Sequence, residues 1–93
     1  MPVQRRFPSR QRVVDRVPPP EDGRRLFASN LRRLRRAAGV TQEHVAEAAG
    51  LDRSYISLVE NARANVSLDV ICRIATVLRV RAVDLLRPED RKE

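Results

Sequence analysis

The side chains with most to offer chemically stand just after Asp52: Arg53, Ser54 and Ser57, with Leu58 beside them and no further carboxylate before Glu60. A guanidinium fork donates bidentately to guanine O6 and N7, hydroxyls donate or accept at base edges, and an apolar side chain meets a thymine methyl. The set therefore suits insertion into a major groove, with Arg53 the strongest candidate. Thr41 and Gln42 stand where another helix opens, and backbone N–H groups left unpaired at such an end favour a phosphate.

Reaction chemistry finds less support. His44 is the lone histidine, with no cysteine or acidic group at ligand spacing. Glu43 and Glu47 stand four apart, but no pocket-forming sequence surrounds them, and no phosphate-cradling glycine loop is present. The expectation is a protein without enzymatic activity, metal or cofactor.

Two short helical patterns joined by a tight turn hold these residues. Thr41 caps the first, in which Val45, Ala46, Ala48 and Ala49 place small apolar groups along one side. Gly50 falls where a helix ends in a left-handed residue, and Leu51 seals the turn. Asp52 caps the second helix, and Ile56 and Val59 point back toward the first. The outward face is then Arg53, Ser54, Ser57 and Leu58.

Flanking patterns complete a helical domain. From Arg24, the residues Phe27, Leu31, Leu34 and Ala38 recur at helical spacing, and Gly39 ends that helix. Its other side carries Arg24, Arg25, Arg32, Arg33 and Arg36, read as a solvated face. Ser67 caps a fourth helix with Leu68, Ile71, Ile74, Ala75 and Leu78 facing the core, and Val80 with Ala82 to Leu86 forms a short fifth, ended by Pro88. Val70, Val77, Val83 and Leu86 either complete the core or form a small dimer interface. The expected fold is all-α, five short helices in one compact domain over residues 24–87.

The stretch from Val40 to Asn61 resembles the helix-turn-helix of the phage repressor and Cro family. The run Asp52-Arg53-Ser54-Tyr55-Ile56-Ser57, followed by Glu60 and Asn65, is most similar to the controller proteins of restriction-modification systems. The resemblance covers about residues 26 to 86. It implies a compact lambda-repressor-like domain, base contacts from Arg53, Ser54 and Tyr55, and a backbone contact from Gln42. It also implies a partly buried ion bridge between Arg35 and Glu60. Relatives usually carry glycine at the position of Ala62, and controller proteins carry arginine at the position of Ala64. Asn61 is expected to take the left-handed conformation that closes the helix, with Asn61, Arg63 and Asn65 as phosphate-binding candidates.

Composition sets the remaining bounds. The 93 residues suffice for one small core, and the net charge is +7 with Lys92 as the only lysine. An arginine-dominated surface favours a nucleic-acid partner. Residues 1–23 interleave Arg5, Arg6, Arg10, Arg12 and Arg16 with prolines, ending in Pro18-Pro19-Pro20, which reads as a flexible basic arm on a stiff spacer. Phosphate contact, entry into a minor groove and an inert solvated tail all stay open for that arm, and residues 88–93 form a charged tail. One cysteine, Cys72, and the lack of an apolar leader or membrane span give a cytoplasmic expectation.

Together these readings predict a sequence-specific regulator that binds double-stranded DNA as a homodimer, with RNA polymerase or another protein as a further partner. An antitoxin-like module with autoregulatory DNA binding, and a non-specific nucleic-acid binder, are the alternatives.

Overall fold

The computed structural model describes residues 19–88, and the remainder of the basic arm and of the charged tail lie outside them. Its described helices are α1 (Pro20–Ala37), α2 (Gln42–Ala49), α3 (Arg53–Glu60) and α4 (Leu68–Leu78), followed by a single 3-10 turn (Ala82–Leu85). The fold is all-helical, with four α-helices among the described residues rather than five. The last segment is four residues long, with Leu86 as its cap, too short to establish the i to i−4 ladder of an α-helix.

Helix α1 begins four residues earlier than the apolar spacing suggested. Pro20 occupies its opening turn, where the missing N–H has no intrahelical partner to lose, and Glu21 and Asp22 place negative charge at the positive end of the helix dipole. The Pro20 to Gly23 segment, assigned to the arm by composition, is thus the first turn of α1. Phe27 and Leu31 are buried and Leu34 packs at the core margin, whereas Ala38 is exposed beyond the helix end.

The core lies where α1 crosses α3 and where α2 packs on both α3 and α4. Leu31, Val45, Ile56, Val59, Ile74 and Leu85 are essentially inaccessible. Complete burial of a Leu or Ile stabilises by roughly 1.5–3 kcal/mol, so these few contacts account for much of what holds so small a domain together. Leu68 departs from expectation: it is 75% exposed, because it opens α4 before the helix meets the core. Ala48 is likewise exposed. Val70 and Val77 pack against the core, while Val83 and Leu86 remain exposed.

Local capping fixes the turns. Thr41 Oγ1 accepts from the His44 N–H and Ser67 Oγ from the Val70 N–H, each satisfying an orphan donor. Asp52 occupies the cap position of α3 without a side-chain capping bond. Between α2 and α3, Gly50 adopts φ +73°, and the Leu51 N–H returns to the Ala46 carbonyl at 2.7 Å.

Candidate nucleic-acid interface

Helix α3 has two unlike sides. Ile56, Val59 and Glu60 are buried, and Arg53, Ser54 and Leu58 are exposed, with Ser57 half-buried at the margin. Residues 53, 54, 57 and 58 share one side at 3.6 residues per turn. Arg53 forms no ion pair among the described residues, so neither Asp52 nor Glu47 neutralises it. It borders an open concavity with Thr41, Gln42 and Glu43, which brings the openings of α2 and α3 to one surface.

Tyr55 stands on the other flank of the helix. Its ring packs against the core and its hydroxyl donates to the Asn65 carbonyl at 2.8 Å, so the polar end of this side chain is committed to the loop after α3. Asn65 is held a second time, its Oδ1 accepting from Arg24 Nη1 at 3.4 Å. Asn61 Nδ2 donates to the Ser57 carbonyl at 2.8 Å, a second bond to an oxygen that also accepts the Asn61 backbone N–H at 3.1 Å. Arg63 is exposed and its guanidinium has no partner among the described residues.

The left-handed residue of this loop is Ala62, at φ +61°, while Asn61 stays at φ −100°. The expectation for Asn61 was therefore displaced by one position. Its side-chain bond to Ser57 holds Asn61 on the helix, and the chain reverses one residue later, where the relatives' glycine was noted.

Behind α3, Arg35 and Glu60 form the expected pair. Arg35 Nε donates to Glu60 Oε2 at 2.6 Å and Nη2 to Oε1 at 3.2 Å, a two-pronged geometry in which the side chains are 13% and 3% exposed. Arg35 Nη1 also donates to the Val40 carbonyl at 2.9 Å, and Arg32 donates to the Glu60 carbonyl. Removing either partner would leave a buried charge uncompensated, at a cost of about 3–5 kcal/mol. That is a large share of the roughly 5–15 kcal/mol holding such a domain folded.

Residues 26–88 match the helix-turn-helix domain family. The chain belongs to the helix-turn-helix family of DNA-binding transcription regulators. It is 42% identical over 72 residues to a hypothetical transcription factor of Neisseria meningitidis, covering 77% of this chain and 68% of that protein. It is 35% identical over 65 residues to the control protein C.SmaI of Serratia marcescens, covering 70% and 77%. Its fold superposes on the crystal structure of the restriction-modification controller protein C.AhdI from Aeromonas hydrophila with a TM-score of 0.65 and 44% identity, covering 67% of this chain and 94% of that one. The resemblance to controller proteins is thereby borne out.

Within this helix-turn-helix domain, several positioning contacts had no local signal in the sequence. Asn30 is buried in α1 and its Nδ2 donates to the carbonyls of Leu85 and Arg87, each at 2.9 Å, while its Oδ1 accepts from Arg33. Of the arginines read as a solvated face, Arg24 and Arg32 also hold other elements and Arg25 pairs with Asp22. The partners of Arg24 and Arg32 lie 41 and 28 residues away in the chain, beyond the reach of any local pattern. Among the described residues, no helix is long and apolar enough to cross a membrane.

Proposed function

We propose that this regulator docks α3 in the major groove, with Arg53 and Ser54 reading base edges and Ser57 and Leu58 at the margin of the contact. Tyr55 serves this surface by bracing the loop after α3. Gln42 and the Thr41 end of α2 face one phosphate, and Arg63, with the 61–65 loop, faces another, so backbone contacts set register while α3 sets sequence. The protein acts without catalysis, as a homodimer on duplex DNA in the cytoplasm, with Val83 and Leu86 contributing apolar area toward the second copy.

The observation that carries this reading is Arg53: exposed, at the opening of α3, and in no ion pair among the described residues. One bidentate contact to guanine is worth roughly 1–3 kcal/mol of discrimination. Titrations at one salt concentration, on a duplex obtained by in vitro selection and on a random duplex, test it. Arg53→Ala should weaken the selected duplex about 5- to 150-fold and the random duplex much less. Arg63→Ala should weaken both alike and lower the salt slope by about one. Equal losses on both duplexes from both substitutions would refute base reading by Arg53.

A further inference from the structure

Glu60 is the only buried charged residue among those described, and its two carboxylate oxygens are not equally occupied. Oε2 receives Arg35 Nε, whereas Oε1 receives both Arg35 Nη2 at 3.2 Å and Gln42 Nε2 at 2.9 Å. A carboxylate paired with a guanidinium accepts hydrogen bonds and donates none. The amide group of Gln42 is therefore fixed in orientation by chemistry: its oxygen turned toward Glu60 would set two acceptors against each other in a partly buried place.

An amide nitrogen carries two protons, and the Glu60 bond consumes one. The other is left for an acceptor on the open side, where Gln42 borders the same concavity as Arg53. We infer that Glu60 is a positioning residue for DNA binding, holding Gln42 with its second N–H presented to a backbone phosphate at the start of α2. This rests on the reading of that surface as the DNA-facing one. It gives the Arg35 and Glu60 pair a task beyond joining α1 to α3: its carboxylate also sets the donor polarity of a side chain on α2.

A double-mutant cycle on the full-length protein tests the assignment, using Gln42→Ala, Glu60→Gln and the double variant, each titrated with a selected duplex and a random one. Gln42→Ala should weaken both duplexes roughly 2- to 10-fold, the range of one hydrogen bond. Because glutamine is neutral and displaces no counterion, that factor should not change with salt. Glu60→Gln should cost binding when Gln42 is present and lose most of that effect when it is combined with Gln42→Ala. The same factor with and without the Gln42 side chain would overturn the inference and leave Glu60 with a purely structural role.

Should Glu60→Gln fail to fold, the wild-type protein answers the question through NMR of the Gln42 side-chain amide. One of its two protons should keep its shift when DNA is added and the other should move; both unmoved would overturn the proposal. Because the two duplexes share their phosphates, the cycle reads the same on each. Failure of base reading would appear only in the Arg53→Ala comparison.

Discussion

Ala62 holds a backbone conformation that disfavours any side chain: at φ +61° its Cβ crowds the neighbouring backbone, which costs an L-residue roughly 1–2 kcal/mol. Glycine escapes the clash but loses more conformational entropy on folding, by roughly 0.5–1 kcal/mol. The steric term is the larger, so Ala62→Gly should stabilise the domain by about 0.5–1 kcal/mol, read as a higher urea midpoint at unchanged m-value. An unchanged or lower midpoint would show that the loop relieves the strain in solution. The residue scale was otherwise well legible where the signal was local. Thr41 and Ser67 cap because each oxygen stands one position before an apolar helical pattern, and Gly50 turns because nothing else turns so cheaply. The left-handed residue was misplaced because asparagine tolerates that conformation in general. Here its amide found a carbonyl one helical turn back, which no propensity reports.

At the scale of elements, the C-terminal 3-10 turn is closed by charge rather than by length. The Arg81 N–H donates to Asp84 Oδ2 at 2.8 Å, and the guanidinia of Arg81 and Arg87 lie near the same carboxylate. The backbone hydrogen bond from Arg81 outweighs the opposing effect of desolvation, and the guanidinia of Arg81 and Arg87 add to it, so the Asp84 carboxyl is held below its usual range. A carboxyl with a lowered folded-state pKa stabilises the fold above the ordinary aspartate value of about 3.9, and the contribution disappears as pH falls through the lower folded value. Asp84→Ala should therefore lower the thermal midpoint at neutral pH, and the gap to wild type should close as pH falls through the lowered folded-state value. A gap that persists in acid would assign the effect to packing. The sequence showed this segment's apolar residues but not its type, since so short a stretch has no measurable period. It also hid the Asn30 clamp, whose partners Leu85 and Arg87 are distant in the chain. The start of α1 was legible in Glu21 and Asp22 yet overruled by three prolines, although the last of them sits where a helix accepts one.

For the whole molecule, magnitudes decide how many copies must bind. Specific protein–DNA complexes exceed non-specific ones by roughly 4–10 kcal/mol, whereas one bidentate contact of the kind proposed for Arg53 is worth roughly 1–3 kcal/mol. Ser54, with a single hydroxyl able to donate or accept at either kind of base pair, adds little discrimination. A lone domain therefore falls short of a useful specificity ratio, and a net charge of +7 raises the non-specific background against which that ratio is measured. Two copies related by a two-fold axis double the base-reading term. On the docking proposed above they would also fix the spacing, because each α3 would have to enter the major groove on the same face of the duplex. In vitro selection with the full-length protein should then return an inverted repeat with half-site centres about 10 base pairs apart, roughly 34 Å along the helix. A duplex carrying one half-site should bind far more weakly at equal salt, and changing the spacing by about five base pairs, which rotates the second groove to the opposite face, should abolish the gain. Recovery of a single asymmetric site, bound equally well with or without its neighbour, would mean that one copy reads DNA alone and that the exposed Val83 and Leu86 serve some other contact.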